Sequence, residues 1–228
     1  RTHPDIHFFS GLTADGEGGA GASGGGDMGA LTATQRSCAR ALFVYAKLNP
    51  GIRYVQGMNE LFAPLFYVFR TAPSCARDTD AEAAAVFCFS MLMGEFRDNY
   101  CEQLDNSEVG VKATLTRLER ALDAADPMLH AHLNDTHGVA SQLYAFRWVT
   151  LLLTQEFPLP DALSLWDVLM AERRDRLGCL LRMCVAMLLE VRETLLQGDF
   201  AACLKLLQRY PPCALARILA RAETLHAV

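Results

Sequence analysis

A chain of 228 residues is long enough for one large domain, or two lobes sharing a core, and can bury roughly 70% of the surface that it exposes unfolded. With 51% apolar and 21% charged residues it has an ordinary to slightly apolar balance for a globular protein. Its formal net charge of −5 argues against nucleic acid as a partner, because phosphate contacts call for a basic face, and favours a protein.

The longest apolar run, Leu177 to Val191, is interrupted by Arg182 and Glu190, so no membrane-spanning helix is expected. The N-terminus has neither a basic n-region nor an apolar h-region, and no secretory signal is read there. The eight cysteines fall at irregular spacing, mostly among apolar residues, with no C-x-x-C pair and no zinc-type ladder. They read as reduced core thiols of a cytosolic protein.

Taken in order, Arg1 to Phe9 is a short extended segment around Pro4 that ends in an anchoring aromatic pair. Residues 10–30 turn to glycine, alanine and short polar side chains, which have little to bury and predict a flexible loop. From a Thr34 N-cap, Cys38, Ala41, Leu42, Tyr45 and Leu48 recur at helical spacing until Asn49-Pro50. A second helix carries the apolar run Leu61 to Phe69, with Pro64 in its first turns or kinking it. A third, Ala81 to Tyr100, bears Val86, Phe87, Phe89, Met93 and Phe96. A fourth, Glu108 to Ala124, places Val111, Leu115, Leu118 and Leu122 on one stripe.

Pro127 to Gly138 reads as a short helical connector and as the boundary between lobes of about 1–135 and 136–228. Val139 to Phe157 is apolar on nearly every face, which predicts one central buried helix ended by Pro158 and Pro160. Asp161 would cap Ala162 to Ala171, and Asp175 to Leu196 is the last long apolar helix, closed by Gly198. Shorter helices over Phe200 to Gln208 and Ala214 to Leu225 flank Pro211-Pro212. With no period-2 run and no internal repeat, the fold class is all-α.

The stretch with the design of a site is Leu48 to Glu60. A Pro50-Gly51 turn leads through Arg53 and Tyr54 to Gln56, Gly57, Met58 and Asn59 at a loop-to-helix junction. The Gln56 amide can be aimed outward there, and Gly57 leaves room for another molecule because it has no Cβ. Taken alone, Gln56 fits a solvated residue at a helix start better than a site residue. Elsewhere no Ser-His-Asp or Cys-His arrangement and no Gly-x-x-x-x-Gly-Lys loop is present, and His130, His132 and His137 lack the spacing of a metal site.

Tyr54-Val55-Gln56-Gly57-Met58 resembles the YxQGM motif of the TBC domain, the helical catalytic domain of GTPase-activating proteins for Rab-family GTPases. Arg1-Thr2-His3-Pro4 resembles the end of that family's IxxDxxR motif, whose isoleucine and aspartate are not in this sequence. Phe146-Arg147-Trp148 through Gln155-Glu156-Phe157 to Leu165-Trp166-Asp167 resembles its third block. The resemblance implies a two-lobed, N-terminally truncated TBC domain over residues 1–228. Arg1 would be an arginine finger and Gln56 a glutamine finger, both offered to a Rab that itself carries GTP and Mg²⁺. No cofactor of the chain's own and no metal is then expected.

Arg53, Tyr54, Gly57, Met58, Asn59 and Arg147 would bind the partner or support the site, with Tyr54 packing beside Gln56 and Arg147 pairing with Glu156 or Asp167. The resemblance further implies a role in vesicle trafficking, a monomer, a cytoplasmic location and, at most, peripheral membrane association through the Rab. Two alternatives stand beside it: a catalytically silent Rab-binding adaptor, and a helical scaffold whose groove takes an amphipathic helix.

Overall fold

The structure, a computed structural model, describes residues 32–75, 77–100 and 110–225. The Arg1 segment and the glycine-rich 10–30 stretch lie outside the described residues. No strand occurs among the described residues, so the all-α expectation holds. The chain divides into two compact units, one up to Glu95 and one from Phe96, whereas the sequence places a boundary near 135.

In the first unit α1 (Ala33–Leu48), α2 (Met58–Thr71) and α3 (Asp78–Phe96) surround an aromatic core. Tyr45 meets the Phe89 ring edge-on at 5.0 Å, and Phe62 touches Phe89 and Phe66, both at 5.8 Å. The cap of α1 is Thr32 rather than Thr34. Gln35 stands at its third helical position, so its amide accepts from the Thr32 N–H at 2.7 Å while Thr32 Oγ1 accepts from the Gln35 N–H at 3.2 Å.

Cys38, Ala41, Leu42 and Tyr45 are buried as the spacing predicts, but Leu48 is 75% exposed. Asn49 ends the helix there, with both its backbone N–H and its side-chain amide donated to the Tyr45 carbonyl. In α3 the buried face runs through Ala81, Ala85, Phe89, Leu92, Met93 and Phe96, which turns Phe87 outward. Pro64 is the seventh residue of α2, buried, and the helix continues past it to Thr71.

The second unit contains α4 (Val111–Ala125), α5 (Pro127–Ala131), α6 (Ala145–Thr150), α7 (Leu159–Ala171), α8 (Arg176–Glu190), α9 (Arg192–Leu196), α10 (Phe200–Gln208) and α11 (Leu215–Thr224). The predicted stripe of α4 is buried as a whole. The connector from Pro127 to Gly138 lies inside this unit: α5 packs on α4 and α9, and Leu129 and Leu133 are fully buried. The central helix is α8, unbroken in burial from Gly178 to Met183 save Arg182 and again from Cys184 to Leu188, against α4, α6, α7 and α11.

Val139 to Phe157 is not the single helix its apolar character predicts. A 3₁₀ turn at Ser141–Leu143 leads to the short α6, and the chain then runs in turns to Phe157. Leu152 and Leu153 adopt left-handed conformations, with φ of 47° and 63°. Each costs about 1–2 kcal/mol of backbone energy. Both side chains are fully buried, an offset of about 1.5–3 kcal/mol each, and the Trp166 indole donates to the Leu152 carbonyl at 3.0 Å. Asp161 likewise falls in the first turn of α7, beyond Pro158, and does not cap it.

The cap of α8 is Asp175, whose Oδ1 accepts from the Gly178 N–H at 2.8 Å. A Cβ on Gly178 would stand 2.2 Å from Asp175 Oδ2, so Gly178→Ala must push the cap aside. Asp175→Ala and Gly178→Ala are each expected to cost about 1 kcal/mol, the worth of one N-cap. The double variant should melt no lower than the worse single one, because both remove the same interaction; additive losses in thermal melts would show that they act separately.

Candidate functional site

The Leu48–Glu60 stretch forms a compact structure between α1 and α2. The Ile52 and Arg53 N–H groups both donate to the Asn49 carbonyl, at 3.1 and 2.9 Å, closing the Pro50-Gly51 turn. Arg53 is held there at φ 62°, exposed, in a conformation unusual for a residue with a side chain. The chain then reverses once more: the Met58 N–H donates to the Val55 carbonyl at 3.1 Å, around Gln56 and Gly57.

Gly57, at φ 103° and ψ −18°, has the conformation of the third residue of a type II turn, where glycine is favoured because a Cβ would collide with the backbone. Gln56 therefore occupies the second, outermost position of that turn, and it is exposed. The turn is tied down on one side by Met58, which has no exposed surface and accepts the Val55 N–H on its sulfur at 3.4 Å. On the other side the Tyr54 hydroxyl donates to Asn59 Oδ1 at 3.2 Å, and Asn59 Nδ2 donates to Glu60 Oε1 at 3.1 Å. Partial burial, and then the charge of Glu60, hold the Tyr54 phenol above its ordinary pKa, so it remains a donor at neutral pH.

Gly57→Ala should cost about 1–2 kcal/mol, the penalty for a left-handed residue bearing a Cβ. Gly57→Asn should cost less, because asparagine tolerates that region better. Thermal melts that rank the two variants in the opposite order would show that the turn relaxes to a different backbone.

Of the expected site residues, Arg53, Tyr54, Gln56, Gly57, Met58 and Asn59 thus lie together at the α1–α2 connection, while Arg1 lies outside the described residues. Glu60 is a member that the sequence reading passed over. Its only sequence signal is an acid in the first turn of a helix, where the backbone N–H groups favour negative charge.

Arg147 belongs to the second unit. Its Nε and Nη2 donate to the two Glu156 carboxylate oxygens at 2.7 and 3.0 Å, and Nη2 also donates to the Gln208 carbonyl at the end of α10 at 2.9 Å. The Glu156 side chain is 2% exposed and that of Arg147 39%. Burial pushes the Glu156 carboxyl above the usual glutamate range, against the pull of Arg147. Asp167 is exposed and takes no part, so of the two expected partners Arg147 uses Glu156.

The described cysteines are free, with Cys38, Cys179, Cys184 and Cys203 buried. Among the described residues no group of three or more His, Cys, Asp or Glu is placed to hold a metal ion, and no helix is long and apolar enough to cross a membrane.

The sequence matches the Rab-GTPase-TBC domain family over residues 28–196. It is 46% identical over 186 residues to TBC1 domain family member 13 of Mus musculus and of Homo sapiens, an alignment covering 82% of this chain and 46% of each relative. To TBC1 domain family member 22A of Homo sapiens it is 32% identical over 187 residues, covering 75% of this chain and 35% of that one. The chain thus spans less than half the length of these relatives. Among solved structures, the Ypt/Rab-GAP domain of Gyp1p superposes with a TM-score of 0.74 at 23% identity, over 85% of this chain and 65% of that one, a likeness of fold. Because the family match runs from before α1 to the end of α9 and takes in the Gln56 turn, the chain belongs to the Rab-GTPase-TBC domain family.

Proposed function

We propose that this chain is a GTPase-activating domain that stimulates GTP hydrolysis by a Rab-family small GTPase, with Arg1 and Gln56 supplied in trans. Hydrolysis of GTP needs charge stabilisation on the transferring phosphoryl oxygens and one water held in line with them. An arginine meets the first need, because its planar guanidinium stays charged and bridges two oxygens. A glutamine meets the second, since its amide both donates and accepts. GTP and Mg²⁺ belong to the partner.

The observation that carries the reading is the placement of Gln56, exposed at the outermost position of a type II turn whose last residue, Met58, is fully buried. Such a side chain contributes little packing, yet its backbone is fixed, as delivery to another protein's active site requires. The role of Arg1 rests on the sequence block Arg1-Thr2-His3-Pro4 and on family membership.

The test is single-turnover hydrolysis by a panel of GTP-loaded Rab proteins with and without the chain. Acceleration of one or a few Rabs, lost in Arg1→Ala, supports the reading and names the substrate. Binding of a Rab with no acceleration would favour the adaptor instead, and neither binding nor acceleration would leave the scaffold.

A further inference from the structure

The turn that presents Gln56 is closed by hydrogen bonds from both directions along the chain. Tyr54, two residues before Gln56, donates its hydroxyl to Asn59, three residues after it, and Asn59 passes its own amide N–H to Glu60. The polarity of this chain of bonds is set at its far end. A carboxylate can only accept, so Glu60 takes the NH₂ end of the Asn59 amide and leaves the carbonyl end facing Tyr54. If the amide were reversed, its oxygen would face the carboxylate and its NH₂ would face a hydroxyl, and the donation to Glu60 would be lost. Glu60 itself is fixed in the first turn of α2, where its backbone N–H donates to the Gly57 carbonyl at 2.9 Å. The relay therefore spans the two residues, Gln56 and Gly57, that the buried Met58 secures from one side only.

We infer that Tyr54, Asn59 and Glu60 are positioning residues for Gln56: the relay locks the exposed side of the turn and holds the Gln56 backbone in the orientation it presents to a partner. The inference rests on the proposed role of Gln56 where it concerns hydrolysis, but its structural half concerns the free chain alone. Asn59→Asp keeps the size of the side chain and an acceptor for Tyr54, yet sets a carboxylate against Glu60 and abolishes the donation between them. Glu60→Gln keeps an acceptor and should rescue, whereas Glu60→Ala should not. Tyr54→Phe removes the first donor and keeps the ring.

Two measurements test the inference. In the free chain, NMR relaxation of the Gln56 backbone amide should show a lower order parameter in Asn59→Asp, Glu60→Ala and Tyr54→Phe, and a wild-type value in Glu60→Gln. An unchanged order parameter in the first three variants overturns the inference, whatever the chain does to a GTPase. In single-turnover hydrolysis with a Rab that the wild type accelerates, Asn59→Asp should lower the plateau rate about tenfold, because small misplacements of a reacting group are costly, and leave the half-saturating concentration unchanged. The same substitution should have no further effect in a Gln56→Ala background, since a residue that acts through Gln56 has nothing left to position. A rise in half-saturation at constant plateau, or an additive loss in the double variant, overturns it by showing that the relay contacts the partner directly. If no Rab is accelerated by the wild type, the proposed function fails while the order parameter still decides the relay.

Discussion

Gln56→Ala is expected to lower the plateau rate of Rab-stimulated hydrolysis by about 10²–10³-fold and to leave the melting temperature unchanged. The rate figure is the usual cost of removing one oriented polar group from a transition state, on the order of 3–4 kcal/mol. The stability figure follows from placement: the side chain is exposed, and its turn is held by the Met58–Val55 hydrogen bond and by glycine at position 57, neither of which uses the Gln56 amide. An exposed substitution of that kind stays within about 0.5 kcal/mol. The half-saturating concentration should move little, because a group that orients water in the transition state contributes less to the ground-state complex. A large fall in melting temperature would show that Gln56 packs rather than reacts. A rise in half-saturation with an intact plateau would make it a docking residue.

The loop-to-helix junction that carries Gln56 was legible in the sequence, since the Pro50-Gly51 turn precedes it and an apolar helical run follows. The type II turn was not, because Gly57 reads there as room for another molecule, and a left-handed φ of 103° is a property of the folded backbone. The relay beside it was not legible, since which end of the Asn59 amide faces Tyr54 depends on where Glu60 comes to rest. The apolar run Val139 to Phe157 was misread for a different reason. Periodicity reports which faces are apolar, and in a segment with apolar residues on nearly every face it cannot separate helix from buried turn. Nor does leucine announce a left-handed position, as Gly or Asn would at Leu152 and Leu153.

Of the two partners expected for Arg147, Glu156 is incompatible with a single helix over that segment. Arg147 and Glu156 are nine residues apart, and at about 100° per residue an unbroken helix would set them on opposite faces. The left-handed leucines reverse the chain and bring Glu156 back to Arg147, so the polar pairing that buried charge requires and the break in the helix are one feature.

Arg147→Ala should therefore be among the most destabilising single changes in the second unit, at about 3–5 kcal/mol near neutral pH, or roughly 10 °C in melting temperature. It strands a carboxylate with 2% exposure and frees the Gln208 carbonyl at the end of α10. Glu156→Gln should cost less, since the amide keeps an acceptor for Arg147, whose partly exposed guanidinium can turn to water. The loss should depend on pH in a definite direction. Burial holds the Glu156 carboxyl above the usual glutamate range even with Arg147 beside it, and removing the cation raises it further. The folded variant then binds its proton more tightly than the unfolded chain does. Its stability is fully present below the ordinary glutamate range and is lost as pH rises through the raised folded value. Wild type and Arg147→Ala should thus differ least near pH 4 and most at pH 7 in thermal melts. A deficit that stays constant between those pH values, or one matched by Glu156→Gln, would mean that Arg147 acts through its contact with α10 and not through the buried carboxylate.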